Sequence, residues 1–285
     1  MVVAACSATR PTHQQPPPPQ EQPSSTGTAE ETPSTEEPVT VRFEAGEALL
    51  AERGLTGVFV VRREGEATFL VATEALADEP FVPASTFKIP NTIIGLETGV
   101  ITDEHFTLPW DGERRQIEAW NRDHDLTSAL AESVVWYYQE VARRVGLERM
   151  RDWVERLGYG NGAIGDEVDT FWLDGPLAIT PREQVVFLER LTSGGLPISE
   201  RTRDVLERVM PSYQAGDATL RAKTGTYIGD AGCHAWLVGW AEEDGEVTAH
   251  FAQLLRCDPD HVPPRTMRWE LAEALLGAAG VLAAE

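Results

Sequence analysis

Pro83-Ala84-Ser85-Thr86-Phe87-Lys88-Ile89-Pro90-Asn91 sets a serine and a lysine three positions apart, at the head of an apolar run that continues through Ile93, Ile94 and Leu96 to Gly99. On a helix this spacing puts both side chains on one face, a turn apart, so that the amine, or something made from it, can take the hydroxyl proton. Ser85 is therefore read as a nucleophile. Of the 24 basic residues, 22 are arginine and only two, Lys88 and Lys223, are lysine. Arginine keeps its proton, whereas a lysine neutralised by burial can react. A lone Ser-x-x-Lys is common by chance, so the weight falls on what accompanies it. A helix from about Ser85 to a left-handed stop at Gly99 would carry Pro90 inside it, where the ring removes a first-turn hydrogen bond and bends the axis.

The 285 residues are 42% hydrophobic and 25% charged, enough to bury a substantial core in one large or two small domains. A net charge of -22 argues against nucleic acid and anionic membrane surfaces as partners. The longest apolar runs fall short of the ~20 residues of a membrane-spanning helix. Cys6, Cys233, Cys257 and the six histidines show no metal-ligand spacing, so no metal is expected. Val3-Ala4-Ala5-Cys6 has the small-residue pattern of a lipoprotein processing site, with Cys6 as the lipidated residue. Only five residues precede it, fewer than the roughly 7–15 of a signal's apolar run. Residues 7–38, with the run Pro16 to Pro19 and no large apolar side chain, read as a disordered linker. The expected organisation is an anchor and linker over 1–38 and a catalytic domain over 39–285, exported to the periplasm or cell envelope.

Leu55–Val61 and Ala67–Ala72 are β-rich runs joined at Glu64-Gly65, which predicts a hairpin. From about 105 to 210 the pattern is helical, with segments near 128–145 and 147–157, a stop at Gly158, a capped start at Thr180-Pro181-Arg182-Glu183 and a further cap at Ser199. Strands return at Ala218–Tyr227, His234–Trp240 and Val247–Arg256, the last two hinged at Glu243-Asp244-Gly245, before an amphipathic helix over about Pro264–Leu276. This order predicts an α+β fold, a mainly antiparallel sheet flanked by helices and interrupted by an all-helical insertion. Cys233 and Cys257 fall at nearly matching distances from the last turn, close enough to leave a disulfide open.

The second lysine stands in Lys223-Thr224-Gly225, on an expected strand. A strand Lys-Thr-Gly with an upstream Ser-x-x-Lys resembles the serine β-lactamases and penicillin-binding-protein transpeptidases. Ser133-Val134-Val135 and Tyr159-Gly160-Asn161 are similar to the Ser-x-Val and Tyr-Gly-Asn motifs of the class D, oxacillinase-type β-lactamases, and the likeness extends to Trp110-Asp111-Gly112, Phe171-Trp172-Leu173 and Val262-Pro263-Pro264-Arg265. It covers most of residues 55–280.

The resemblance implies hydrolysis of β-lactam antibiotics, a small-molecule substrate class. Ser85 would attack the lactam carbonyl, with its own N–H and that of Thr226 as the oxyanion hole. Lys88 would act as its CO₂ adduct, N6-carboxylysine, needing bicarbonate but no other cofactor. Trp172 would donate to that carbamate, and Val135 and Leu173 would keep the pocket apolar. Ser133 would relay a proton to the leaving nitrogen with Lys223 beside it. Lys223, Thr224 and Arg265 would receive the substrate carboxylate, and Gly225, Tyr159 and Asn161 would line the substrate site. Three other readings stay open: a β-lactam sensor of the same fold that acylates without turning over, a penicillin-binding transpeptidase, and a non-enzymatic envelope binding module. Val135 counts against the sensor and the transpeptidase, where asparagine is usual.

Overall fold

The computed structural model describes residues 38–230 and 232–283. Along the chain run β1 (Val39–Arg42), α1 (Glu44–Glu52), β2 (Thr56–Arg63), β3 (Thr68–Ala72), α2 (Lys88–Glu97), α3 (Leu126–Ala131), α4 (Val135–Val145), α5 (Leu147–Leu157), α6 (Pro181–Thr192), α7 (Glu200–Val209), β4 (Ser212–Ala215), β5 (Ala218–Gly229), β6 (Gly232–Glu243), β7 (Glu246–Cys257) and α8 (Arg265–Ala278). The seven strands form one sheet in the order β1-β3-β2-β7-β6-β5-β4, antiparallel except where β1 pairs with β3. The expected β-hairpins and helical insertion between two groups of strands are both present. The lipobox at Cys6 lies outside the described residues.

The sheet is buried on both faces, which explains why β2 reads as a continuous apolar run instead of an alternation. Val58 and Val60 face the helical insertion, together with Trp236, Val238 and Leu254. Phe59 and Val61 point the other way, to α1 and α8, with Leu220, Leu237, Phe251 and Leu255. The same period of two along β5 assigns Ala222 to the α8 side, so Lys223 and Gly225 are turned toward the insertion.

Local signals held where the chemistry was local. Thr180 and Glu183 form a reciprocal capping box on α6, Ser199 caps α7, and Gly158 ends α5 at φ +61°. Asp244 and Gly245, at φ +53° and +83°, turn β6 into β7. Two expectations change. The helix expected over 128–145 is broken into α3 and α4, because Ser133 takes φ +57° and leaves the helical ladder. The helix expected from Ser85 begins at Lys88 instead, with Ala84–Phe87 as a tighter 3₁₀ turn before it. Pro90 is then the third helical residue, where a missing N–H costs nothing because that N–H has no partner within the helix. Strands β1 and β4 and helix α1 were not anticipated. All three are short; β1 and α1 pair or pack with residues well along the chain, whereas β4 forms a tight hairpin with β5 through Gly216-Asp217.

Candidate active site

Two serine–lysine pairs face each other across the junction of sheet and insertion. Ser85 sits half-buried in the 3₁₀ turn, and Lys88 Nζ lies 2.8 Å from its Oγ. Lys88 is 0% exposed, and burial pulls its amine down to about 7. The turn is braced from behind. Thr86 Oγ1 donates to the Pro83 carbonyl and accepts from Gln184, and His234 and Trp236 both donate to the Val82 carbonyl. Ala84, just ahead of Ser85, is held at φ +48°, a conformation that alanine rarely adopts. The backbone strain anticipated at Pro90 thus falls on Ala84 and Ser133.

The left-handed turn at Ser133 presents its hydroxyl to Lys223, whose Nζ donates to Ser133 Oγ at 3.0 Å and to the Thr224 carbonyl at 2.9 Å. Lys223 is also 0% exposed. Burial first, then the charges of Lys88, Arg265 and Arg268, push it well below the usual lysine range. Strand β5, which carries Lys223, packs directly on the turn that carries Ser85, and this places the two pairs in one site. Gly225 seats β5 against the Ser85 turn: a Cβ there would stand 2.9 Å from the Pro83 carbonyl oxygen and 3.1 Å from Thr86 Cγ2. Thr226, next along β5, is exposed. Arg265 opens α8, exposed, and donates to the Ala131 carbonyl two residues before Ser133.

Trp172 is fully buried and stacks on Phe87, the residue preceding Lys88, at 5.5 Å between ring centroids. Its indole N–H is buried with no partner among the described residues. Val135 starts α4, which packs on α2, and Leu173 follows Trp172, both half-buried. Lys88 Nζ also lies 5.5 Å from the centre of the Tyr138 ring. The buried amine thus has an aromatic ring beside it, and the residue before it in the chain is stacked on another.

The two residues expected to line the site also hold its frame together. Tyr159 is 1% exposed, its hydroxyl accepts from Gln184 Nε2 at 3.1 Å, and its ring packs edge-on against Phe87, so it supports the turn from below. Asn161 donates to the Pro176 carbonyl and accepts from the Ala163 and Ala178 N–H groups, which staples its loop to residues 176–178. Sequence reasoning missed the braces Gln184, His234 and Trp236. It also missed Arg268, 4% exposed, whose guanidinium reaches the β5 backbone from α8. One signal was present: Arg268 shares helical spacing with Leu271, Ala272 and Leu275 on the apolar face of α8, where an arginine is out of place.

Comparison with known proteins agrees with this arrangement. The family "Penicillin binding protein transpeptidase domain" matches residues 57–255. Beta-lactamase OXA-48 of Klebsiella pneumoniae is 42% identical over 200 residues, 70% of this chain and 76% of its own length. Beta-lactamase OXA-10 of Pseudomonas aeruginosa is 35% identical over 231 residues, 80% and 86% of the two chains. Among solved structures, the class D β-lactamase YbXI from Nostoc superposes with a TM-score of 0.78 at 36% identity, covering 83% of this chain and 99% of its own. FUS-1 (OXA-85), a class D β-lactamase from Fusobacterium nucleatum subsp. polymorphum, gives 0.79 at 30% identity over 85% and 100%. With two serine–lysine pairs meeting on such a framework, the chain belongs to the class D β-lactamases, serine hydrolases of the transpeptidase fold.

Proposed function

We propose that this enzyme opens β-lactams through an acyl-enzyme on Ser85, with Lys88 working as its carbamate. The observation that carries the proposal is the buried Lys88 Nζ at 2.8 Å from Ser85 Oγ, held near 7 by desolvation. A lysine at its ordinary value of about 10.4 is almost wholly charged and cannot take a proton. The residues fit a CO₂ adduct: a neutral amine can attack CO₂, and the unpartnered Trp172 N–H offers a donor for the resulting anion. When bound, that group supplies an anionic general base beside Ser85.

Ser85 Oγ forms the bond to the lactam carbonyl carbon while its proton leaves toward position 88. The carbonyl oxygen becomes an anion between the N–H groups of Ser85 and Thr226. The carbon–nitrogen bond then breaks, and Ser133 delivers its proton to the nitrogen and regains one through Lys223, its neighbour at 3.0 Å. Lys223, Thr224 and Arg265 receive the substrate carboxylate. Its negative charge restores a protonated Lys223, which in the free site is disfavoured by burial and by Lys88 and the two arginines. Val135 and Leu173 limit water around Lys88. The Cys233–Cys257 disulfide, which ties the start of β6 to the end of β7 with Cα atoms 5.0 Å apart, supports an oxidising compartment outside the cytoplasm, and the Val3–Cys6 pattern supports a lipid anchor at Cys6.

Turnover of a chromogenic β-lactam in CO₂-depleted buffer and after adding bicarbonate tests the base, on the native chain and on Trp172→Phe. Bicarbonate restores turnover of the native chain, while Trp172→Phe still acylates but deacylates about 10²-fold more slowly. Turnover indifferent to bicarbonate overturns the carbamate. Stoichiometric acylation without turnover identifies a sensor, and no acylation removes the catalytic reading.

A further inference from the structure

Arg268 is a buried cation with no acidic partner among the described residues. Its donors go to neutral oxygens around one point of the site. Nη1 donates to the Gly225 carbonyl at 2.8 Å and to the Trp236 carbonyl at 3.2 Å, Nη2 to Thr226 Oγ1 at 3.1 Å, and Nε to the Pro263 carbonyl at 3.0 Å. Burying a guanidinium without a carboxylate is expensive, and a methionine or leucine among Leu271, Ala272 and Leu275 would fill the same space more cheaply. Burial and Arg265 lower the group only to about 10, so it keeps its charge at neutral pH.

The Gly225 carbonyl and the Thr226 N–H belong to a single amide. A charged donor on the oxygen draws electron density from the nitrogen, and a planar trans peptide carries that effect to the N–H on its far side. We propose that Arg268 is a positioning residue of the oxyanion hole, which fixes the Gly225–Thr226 peptide and polarises it so that the Thr226 N–H binds the oxyanion more strongly. The proposal rests on the reading of Ser85 and Thr226 as the two oxyanion donors. It also explains why the arginine sits behind β5 instead of in the groove. From there it strengthens the hole without competing with Lys223 and Arg265 for the substrate carboxylate.

The test uses Arg268→Gln, which removes the charge but keeps a donor, and Arg268→Lys, which keeps the charge but cannot span four acceptors. Single-turnover acylation by a slowly deacylated penicillin is read together with the infrared stretch of the acyl-enzyme ester carbonyl, which falls in frequency as the oxyanion hole strengthens. Acylation is expected to slow about tenfold in Arg268→Gln and less in Arg268→Lys, with the carbonyl stretch rising in the same order. The native chain is the control for the underlying reading: if its own acyl carbonyl shows no lowered stretch, the assignment of the oxyanion hole fails. If the native stretch is lowered and both variants match it, Arg268 has no such role. Slower acylation with an unmoved stretch also overturns the proposal, since it reports only a distorted strand. Should Arg268→Gln not fold, Arg268→Lys decides by the same two readouts.

Discussion

Lys88 is an expensive residue for the fold. Its folded value of about 7 lies below the unfolded 10.5 because burial disfavours the ammonium. Below pH 7 the amine is charged in both states and the folded chain bears the full desolvation penalty. Between 7 and 10.5 the unfolded chain binds more protons, so the penalty shrinks as pH rises, and above 10.5 it is gone. Lys88→Met, measured by thermal unfolding in CO₂-free buffer, should therefore be more stable than the native chain by about 1–3 kcal/mol at pH 6, with the gap closing toward pH 10. A gap that does not narrow would show that charge burial is not its source. The identity of this residue was readable in advance, since one of only two lysines stands three positions from a serine. Its burial was not, because the Tyr138 ring beside the amine and the Trp172 ring stacked on Phe87 come from some 50 and 84 positions away from Lys88 in the chain.

Among the elements, β5 and the 3₁₀ turn at Ala84–Phe87 must touch for the site to exist, and Gly225 is where they do. Gly225→Ala would push a methyl group to 2.9 Å from the Pro83 carbonyl oxygen and force the strand away from Ser85. Acylation should fall by at least about tenfold, because a displaced oxyanion donor loses most of its effect. Stability should fall less, by about 1–3 kcal/mol, as the β5–β6 ladder survives; stopped-flow acylation and thermal unfolding on the same sample separate the two. Helices with their own caps, such as α6 and α7, follow from the sequence because the capping partners are three residues apart. The break at Ser133 does not. Nothing local demands a left-handed serine, and the hydrogen bond to Lys223 that gives the turn its purpose spans 90 positions.

The folded unit couples to acid through buried histidines on the sheet. His250 on β7 is 1% exposed and held at about 4 by burial and by Arg62, although the Glu64 carboxylate at 3.6 Å favours its charged form; its Nε2 lies 2.7 Å from Thr192 Oγ1 on α6. A histidine whose folded value lies below the unfolded 6.5 binds its proton first in the unfolded chain. Stability is thus fully present above 6.5 and lost as pH falls toward 4. Thermal unfolding across that window should show a decline of up to about 3 kcal/mol that flattens in His250→Gln; an equally steep decline in the variant would assign the acid sensitivity elsewhere. From the order of strands and helices, from two lysines and from four short motifs, the amino-acid sequence alone determined the fold class and the family, because each rests on residue type and short spacing, and it named the groups that the proposed mechanism uses. Tertiary structure alone decided the burial of Lys88, the bracing contacts of Tyr159 and Asn161, and the presence of Arg268 behind the strand. Burial, opposing charges and backbone contacts between distant segments arise only when the sheet closes against the insertion and α8.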